Sequence, residues 1–387
     1  MTNNLKHLLG SVSRTLLGLV FTFSGFVKAV DPLGTTYKIE DYLKAFGGFF
    51  TDLLVLAPIA AYLLIAAEFL LGVCLLLNVQ TKWTGWCTLA FMLVMTPLTL
   101  WIALSNPVSD CGCFGDALVL TNWQTFWKNI VLLALVAVLL ICRKHIPATF
   151  TPMYEAGFFT LGVLLVSGLM AWTLYHLPIM DFRPYKVGNN IPELMEVPED
   201  APQDEYEITF IYSKDGQEKE FTLENYPKGD STWTFVDQKS KLIRKGYEAP
   251  IHDFEILNAE YEDITYDILE SETPVTLIIM YDLEKADRSM MDKMTHIYLL
   301  CQSRLEQCYI VTGSGEETIA GFCYDYVVNH TDVYSTPFSH PDEVFCTCDP
   351  VTLKTIVRAN PGVIVVQNGT IIDKYNLRNR YCKLPQE

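Results

Sequence analysis

Two cysteines one residue apart are the residues of this chain best suited to chemistry. Cys111 and Cys113 stand in Asp110-Cys-Gly-Cys-Phe-Gly-Asp116, a short polar gap between two long apolar stretches. A Cys-x-Cys pair can close a small, strained disulfide ring, and strain makes a disulfide more oxidising and more easily exchanged. Gly112 supplies the backbone freedom that the ring needs. The pattern predicts thiol–disulfide exchange; a permanent structural disulfide, a soft-metal site and inert thiols are the alternatives.

Two acidic residues flank this pair, and the chain lacks the clusters that a metal or a nucleotide needs. Asp110 and Asp116 place negative charge beside the thiols, so we expect the thiol pKa values not to fall. Two thiolates alone are an incomplete site for Zn²⁺ or Cu⁺, and the seven histidines form no ligand-spaced cluster. No nucleophile elbow, P-loop or dinucleotide fingerprint occurs. We expect no metal and no resident cofactor.

Charge divides the chain into two halves. Residues 1–178 carry nine Lys or Arg and eight Asp or Glu, whereas residues 179–387 carry 19 and 37. The acidic half disfavours nucleic acid as a partner. The first half contains five apolar stretches near the roughly 20 residues that cross a bilayer. They lie at about residues 8–30, 53–77, 83–104, 123–142 and 156–177, so a lipid bilayer is the first predicted partner.

Positive charge predicts the orientation of these spans. Lys6 and Arg14 at the first span, Lys82 in the second loop and the cluster Arg143-Lys-His145 all fall on one side if five spans cross the membrane. By the positive-inside rule that side is cytoplasmic. The Cys111–Cys113 loop and the acidic half then lie outside. We expect a multi-pass inner-membrane protein with a cytoplasmic N-terminus and a periplasmic C-terminal domain, in a compartment that permits disulfides.

One acidic residue lies deep inside the second span. Glu68 is surrounded by apolar residues, and ionisable groups within a span are costly and usually functional. It either forms an internal ion pair that fixes helix packing, or serves as a proton relay or a ligand of a quinone-like head group. Lys28, near the end of the first span, is expected to extend to the outer interface. Lys128 and Asn129 are expected beside Glu68 or beside the cysteine loop.

The first half resembles the DoxX-like, methylamine-utilisation MauE family of redox-associated membrane proteins. The resemblance covers roughly residues 8–142. It rests on the stretch from Arg14 to Lys28 and on five short tracts: Ser24-Gly-Phe-Val-Lys28-Ala-Val-Asp-Pro32, Tyr37-Lys-Ile-Glu-Asp-Tyr-Leu43, Ala67-Glu-Phe-Leu-Leu-Gly72, Asp110-Cys-Gly-Cys-Phe-Gly115 and Trp127-Lys-Asn129. It implies a four-helix membrane unit linked to the formation or delivery of disulfides in periplasmic partners. The fifth span and the acidic half are additional to that unit.

The sequence of the acidic half predicts a linker, a β-hairpin and an α/β sandwich. A Pro- and acid-rich linker at 197–205 precedes alternating apolar residues at 206–223, where Asp215-Gly216 predicts a hairpin turn. Further on, predicted strands at 276–280, 308–312 and 361–366 alternate with predicted helices at 286–306, 316–326 and 350–359. Asp349 before Pro350 is a strong helix start, and Asn368-Gly369 predicts a type I′ turn. This order is typical of an α/β sandwich.

The stretch from about residue 246 to 378 resembles the redoxin or TlpA-type branch of the thioredoxin-like family. Ala249-Pro-Ile-His-Asp-Phe254 is similar to the entry motif of that branch, and Asn360-Pro361 is similar to its cis-proline strand. The family's Cys-x-x-Cys should follow the first central strand, where this chain reads Tyr281-Asp-Leu-Glu-Lys-Ala-Asp-Arg288. The resemblance therefore implies a thioredoxin-like fold that lacks the usual cysteine pair.

A second Cys-x-Cys motif is the candidate replacement. Cys346 and Cys348 precede the helix capped by Asp349, and the positive end of a helix dipole favours a thiolate. With Pro361 as the cis-proline, this pair could share an edge of the sheet with it. A buried or permanently bridged pair is the alternative. Cys301 and Cys308 are expected in the core, and Cys323 and Cys382 are possible disulfide partners.

These observations predict a membrane all-α helical bundle followed by an α/β thioredoxin-like soluble domain. The predicted boundaries are a four-span unit at 1–148, a fifth span at 149–180, a linker and hairpin segment at 181–245 and the periplasmic domain at 246–387. The predicted function is thiol–disulfide exchange, or maturation of partner proteins, through Cys111 and Cys113, with Glu68 handling the proton. Its partner is a periplasmic or membrane redox protein, and a quinone is a candidate acceptor. The alternative is a non-catalytic scaffold with a degenerate thioredoxin-like binding domain.

Overall fold

The computed structural model describes residues 2–379 except 109, 204, 215–216, 224, 229–231, 245 and 330–336. The predicted Asp215-Gly216 turn and Cys382 lie outside the described residues. Within them, a helical bundle is followed by a soluble part that contains two β-sheets.

Five helices of the bundle are long and apolar enough to cross a membrane, as predicted. The bundle contains α1 (Asn3–Val30), α2 (Pro32–Phe46), α3 (Phe49–Asp52), α4 (Ala57–Leu76), α5 (Thr81–Ser105), α6 (Asn122–Cys142) and α7 (Pro152–Tyr175). The helix α2 begins where Asp31 accepts a hydrogen bond from the Gly34 amide and Pro32 takes the first helical position, an arrangement that satisfies free amides. The chain is thus a multi-pass membrane protein in its first half.

Glycines allow α1 and α4 to touch along their backbones. A β-carbon at Gly25 would lie 2.5 Å from the backbone nitrogen of Phe69, and one at Gly72 would strike the backbone of Thr22. Small residues permit this close approach between membrane helices. Because the two backbones meet, Lys28, three residues after Gly25, and Glu68, four residues before Gly72, face each other across a short gap.

The soluble part begins with a small antiparallel sheet. After α8 (Ile191–Met195) come β1 (Glu205–Lys214), β2 (Gln217–Thr222) and β3 (Thr234–Arg244). They pair in the order β2-β1-β3. Strands β1 and β2 form the two arms of the predicted hairpin, with Lys214 opposite Gln217.

A mixed five-stranded sheet forms the second part of the soluble half. Its elements are α9 (Thr265–Leu269), β4 (Val275–Met280), α10 (Met291–Ser303), β5 (Gln307–Thr312), α11 (Glu316–Asn329), α12 (Pro341–Val344), β6 (Phe345–Thr347), α13 (Pro350–Ile356), β7 (Gly362–Gln367) and β8 (Thr370–Asn376). The strand order is β6-β5-β4-β7-β8. Strands β4, β5 and β6 run parallel to one another, and β7 is antiparallel to both of its neighbours, β4 and β8. The α/β expectation agrees with this sheet.

Two predicted helices are shorter than the sequence suggested. The helix α10 begins at Met291 rather than at 286, after a single 3₁₀ turn (Arg288–Met290) that the Asp287 side chain caps. The helix α13 ends at Ile356 rather than at 359, since Val357 adopts extended backbone angles. The chain leaves this helix in time to reach Asn360-Pro361, and a residue before proline disfavours the helical conformation.

The mixed sheet is buried on both faces. In β4, Leu277 and Ile279 pack into one apolar core, whereas Ile278 and Met280 pack into the other. Alternate strand residues point to opposite faces, so an uninterrupted apolar strand implies cover on both sides. Cys346 and Cys348 belong to the first core, and Cys301, Cys308 and Cys323 belong to the second.

The soluble part sits on one end of the bundle. Arg358, which follows α13, forms an ion pair with Asp31 at the end of α1, with Nε and Oδ2 2.9 Å apart. The side chain of Asn376 in β8 donates a hydrogen bond to the Tyr175 carbonyl at the end of α7. The Cys111–Cys113 loop and the acidic domain therefore share one end of the bundle.

The close contact of α1 and α4 makes a testable prediction. Gly72→Ala inserts a methyl group into the Thr22 backbone, so it should lower the stability of the bundle by about 1–3 kcal/mol. Gly168→Ala in α7 is the matched control, because a β-carbon there meets nothing within 4 Å. Thermal unfolding in detergent would measure both variants. Equal melting temperatures for the two would show that the backbones do not touch.

Candidate thiol site

The Cys111–Cys113 pair lies in the segment between α5 and α6, beneath the soluble domain. Its two sulfur atoms are 3.0 Å apart, longer than the roughly 2.05 Å of a disulfide bond, and both residues are free thiols. Gly112 between them adopts a φ of 63°, in the left-handed region that residues with a side chain rarely enter. This turn lets both cysteines line the same cavity.

Hydrogen bonds from the helices hold the backbone of this loop. The Tyr42 hydroxyl of α2 donates to the Cys111 carbonyl at 2.7 Å. The Asp110 side chain accepts from the Gly112 amide at 2.8 Å and from the Lys38 ammonium, also at 2.8 Å. Lys38 and Tyr42 lie on α2, so this helix holds the loop in addition to the hydrogen bond that the loop forms within itself.

A buried ion pair lies directly beneath the loop. Lys28 Nζ is 2.6 Å from Glu68 Oε2, and the two side chains are only 9% and 10% exposed. The Ser24 hydroxyl oxygen is 2.7 Å from Glu68 Oε1 and 2.6 Å from the Cys113 carbonyl oxygen, and it accepts a hydrogen bond from Lys28 at 3.1 Å. Ser24 therefore connects the ion pair to the thiol loop.

The thiols face an apolar cavity inside the bundle. The cavity has a volume of about 320 Å³, near the lower end of the range for small-molecule sites. Its walls come from α1, α2, α4, α5 and α6, and its apolar residues include Phe21, Leu43, Phe46, Leu64, Phe91, Met95 and Leu132. One end is polar and contains Cys111, Cys113, Ser24, Lys28, Glu68 and Lys128.

The two thiols differ in acidity. A hydrogen bond from Cys111 is the largest effect that lowers the pKa of Cys113, to about 6, and the charges of Lys128 and Lys28 lower it further against the opposing effect of burial. The same hydrogen bond, with burial, raises the pKa of Cys111 above its usual range. Cys113 is therefore the thiolate of the pair.

The expectation that Asp110 and Asp116 would keep the thiol pKa values from falling was wrong for Cys113. Lys38 pairs with the Asp110 carboxylate at 2.8 Å, and Arg358 approaches the Asp116 carboxylate at 3.8 Å. Each acidic side chain therefore has a cationic neighbour. The charges that lower the Cys113 pKa are instead Lys128 and Lys28.

The residues predicted around Glu68 are placed differently. Lys28 does not extend to the membrane interface but is buried against Glu68, because a lysine one helix turn after Ser24 meets the α4 carboxylate at the closest approach of the two helices. Lys128 lies beside the cysteine loop, with its ammonium 4.4 Å from the Phe114 ring centre. Asn129 donates to Thr99 of α5 rather than to Glu68.

The secondary candidates, Cys346 and Cys348, are buried in the core of the domain. Burial raises the pKa of Cys346 and that of Cys348 to about 12 each, contrary to the expectation of a helix-stabilised thiolate. The Asp349 carboxylate accepts the Val351 and Thr352 amides at the start of α13, so the positive end of this helix already has an anion. The Asn360–Pro361 bond is cis. Pro361 lies at the same edge of the sheet as Cys348, because β7 begins beside the end of β4 and Cys348 follows the end of β6.

Among the described residues, no group of three His, Cys, Asp or Glu could hold a metal.

Sequence reasoning missed the residues that hold the loop. Ser24, Lys38, Tyr42 and Arg358 were not singled out as site residues, since none is unusual in type. Ser24 and Lys28 are four residues apart, and that spacing places both on one helix face. A helix face that carries both Ser24 and Lys28, opposite the helix that carries Glu68, was the signal in the sequence that could have identified Ser24.

Comparison with known proteins supports the membrane part of this picture. Residues 6–142 match the family described as methylamine utilisation protein MauE. The membrane part of the chain is MauE-like. Residues 206–245, which form most of the small sheet, match a domain of unknown function, DUF8463. Neither a curated protein nor a solved structure matches the chain.

The buried ion pair predicts an asymmetric response to mutation. Glu68→Leu leaves the Lys28 charge buried without its partner, which should destabilise the protein by about 3–5 kcal/mol. The double variant Lys28→Met with Glu68→Leu removes both charges, and it should recover most of that loss. A double-mutant cycle of thermal unfolding measures the coupling. Strictly additive losses would show that the two side chains act independently.

The acidity of Cys113 predicts a pH dependence for its alkylation. The thiolate is the reactive form and its population rises with pH, so iodoacetamide labelling of Cys113 should reach half of its maximum rate near pH 6. Lys128→Met removes a neighbouring cation and should move this midpoint upward, whereas Lys144→Met at the far end of α6 should not. Mass spectrometry of the labelled peptide reads each cysteine. An unchanged midpoint in Lys128→Met would contradict the electrostatic assignment.

Proposed function

We propose that the protein oxidises thiols of partner proteins through reversible disulfide formation between Cys111 and Cys113. The observation that carries this proposal is the position of the two sulfur atoms, 3.0 Å apart at the polar end of an apolar cavity and above a buried ion pair. A structural cysteine pair needs neither a thiolate nor a cavity, whereas a redox pair needs both a reactive sulfur and a place for its electron acceptor.

Exchange with a partner proceeds by transfer of a disulfide. A thiolate of the partner attacks the Cys111 sulfur of the oxidised pair, the Cys111–Cys113 bond breaks, and Cys113 leaves as a thiolate. The sulfur with the lower thiol pKa is the better leaving group, which assigns this role to Cys113. The second partner thiolate then displaces Cys111, so the partner gains a disulfide and the pair becomes a dithiol.

A quinone in the cavity is the proposed acceptor that regenerates the disulfide. The dithiol gives two electrons and two protons to the quinone, which becomes a quinol, so the reaction balances without another reactant. An apolar cavity between membrane helices suits a lipid-soluble molecule, and the cations at its polar end, Lys28 and Lys128, can stabilise the negative charge that develops on a quinone oxygen. Glu68, paired with Lys28, is the proposed proton carrier.

The charge pattern supports the proposed compartment. The loops rich in Lys and Arg favour a cytoplasmic N-terminus, and the thiol site and the soluble domain are therefore proposed to lie on the periplasmic side of the inner membrane. Free thiols of secreted proteins are the partners available there. The name of the matched family supports a connection to the utilisation of methylamine, and the proposed contribution is the maturation of partner proteins.

The soluble domain is proposed to be thioredoxin-like in fold but not in chemistry. The strand order and Pro361 support the likeness. The segment Tyr281–Arg288 has no cysteine, and Cys346 and Cys348 are buried with raised pKa values. These observations favour a second role for this domain, as a non-catalytic binding or scaffold module attached to a redox-active membrane unit.

The test uses the full chain in lipid nanodiscs. The reduced protein is mixed with a short-chain quinone, quinol formation is followed by absorbance, and the Cys111–Cys113 disulfide is quantified by differential alkylation and mass spectrometry. One disulfide should form for each quinol, and Cys111→Ser or Cys113→Ser should abolish both signals. Ser24→Ala is a further variant that keeps both thiols and should slow the reaction only in part.

Trapping distinguishes the two cysteines. The trap uses the reverse reaction, in which a reduced cysteine attacks a peptide that contains a disulfide bond, and one peptide thiol leaves as the mixed disulfide forms. Because the partner is attached to Cys111 and Cys113 resolves it, Cys113→Ser should accumulate this mixed disulfide, whereas Cys111→Ser should not. Equal trapping by both variants would contradict the assigned order. A pair that neither quinone oxidises nor thiols reduce would exclude the redox function and leave the scaffold role.

A further inference from the structure

Arg358 of the soluble domain reaches into the membrane unit and contacts the end of α1 and the thiol loop. Its Nε–H group donates a bifurcated hydrogen bond to Asp31 at the end of α1, at 2.9 and 3.2 Å from the two carboxylate oxygens. Its Nη2 is 3.8 Å from Asp116, three residues after Cys113. The Arg358 side chain is only 8% exposed, so this contact is part of a packed interface.

Aromatic contacts extend the same interface. The Lys354 ammonium lies 4.9 Å from the ring centre of Tyr37 in α2, and the Arg358 guanidinium lies 5.3 Å from it. The Tyr37 hydroxyl is 3.4 Å from that of Tyr281. Cations above an aromatic ring are attractive, and more so where water is excluded. The domain thus rests on α2, the helix that also holds the loop through Tyr42 and Lys38.

The linker fixes the domain to the end of the fifth span. Arg183 and Lys374 both pair with Asp181, at 2.8 and 2.6 Å. Arg183 also donates to the Thr355 carbonyl, and Lys374 donates to the Tyr185 carbonyl. These contacts join the segment after α7 to both α13 and β8, so the domain and its linker form one body above the loop.

A small pocket remains between the domain and the thiol loop. Its volume is about 270 Å³, below the 300 Å³ or so at which small-molecule sites usually begin. The domain contributes Val351, Lys354, Thr355 and Arg358 to its walls, and the membrane unit contributes Asp31, Lys38 and Gly112. Gly112 has no side chain, and both this pocket and the apolar cavity contact it. Of the thiol loop, Gly112, Gly115 and Asp116 line this pocket, so the pocket meets the loop between the two cysteines and just after them.

We propose that the docked soluble domain selects the thiols that reach Cys111 and Cys113, admitting a single extended cysteine-bearing segment and excluding folded proteins. This inference rests on the proposed exchange function, for which it names the class of substrate. An extended chain presents one or two side chains at a time and suits a pocket of this size. A folded surface would have to displace Arg358 from Asp31 and Asp116. Newly secreted chains, before they fold, have the required form.

The test compares two reductants of the oxidised pair, with the full chain in nanodiscs. One is an unstructured peptide with two cysteines, and the other is a small folded protein with an exposed dithiol, reduced thioredoxin. The wild type should react with the peptide at least about tenfold faster than with thioredoxin. Arg358→Glu places like charges against Asp31 and Asp116 and should remove most of this preference. Arg288→Glu is the matched control, since Arg288 pairs with Asp325 on an exposed surface of the same domain.

Alkylation separates this proposal from the exchange function. In the reduced wild type, a small maleimide should label the thiols much faster than a polymer-linked maleimide, and Arg358→Glu should reduce the difference. The labelling assay needs no redox activity. If no thiol reduces the Cys111–Cys113 disulfide, the exchange function is excluded, but the labelling assay still tests the size selection. The proposal is overturned if the wild type does not discriminate by size, or if a folded Arg358→Glu protein discriminates as the wild type does. Should that variant fail to fold, Arg358→Lys, which keeps the charge but loses the guanidinium hydrogen bonds to Asp31, should show an intermediate preference, and an unchanged preference would overturn the proposal.

Discussion

A buried ion pair between two membrane helices is the interaction on which the rest of the site depends. Lys28 and Glu68 are each nearly inaccessible to water, and a single buried charge in this setting is costly. The pair is tolerated because the α1 and α4 backbones meet at Gly25 and Gly72, which brings opposite charges together at 2.6 Å. Helix packing and electrostatics therefore determine one another.

The thiol site receives part of its electrostatics from this pair. The charge of Lys28 lowers the pKa of Cys113, after the hydrogen bond from Cys111 and the charge of Lys128, whereas the charge of Glu68 raises it. The cavity lies between α1, α2, α4, α5 and α6, and Lys28 and Glu68 line its polar end. The pair therefore supplies two of the charges near the Cys113 sulfur, and it lies on two of the five helices that surround the cavity.

The sequence was sufficient for the elements but not for their contacts. Apolar length identified the five spans, and Asp349 with Pro350 marked the start of α13, since both signals are local. Cys111, Cys113 and Glu68 stood out because their types are unusual for a membrane segment. Their electrostatics did not follow, because the flanking Asp110 and Asp116 each meet a cation, Lys38 and Arg358, that is distant in the chain. For Cys346 and Cys348 the sequence left a helix-stabilised thiolate and a buried pair open, since burial in a core is a property of the whole domain.

The Ser24 hydroxyl has one proton and two acceptors. Glu68 and the Cys113 carbonyl lie at nearly equal distances from it, 2.7 and 2.6 Å, and a hydroxyl donates to one of them at a time. In the proposed exchange, a loop that moves away from Ser24 when the disulfide closes would leave Glu68 as the acceptor of that proton. The carboxylate stretching vibration of Glu68 then becomes an optical reporter of the loop, so infrared difference spectroscopy can follow sulfur chemistry at a position that itself contains no sulfur.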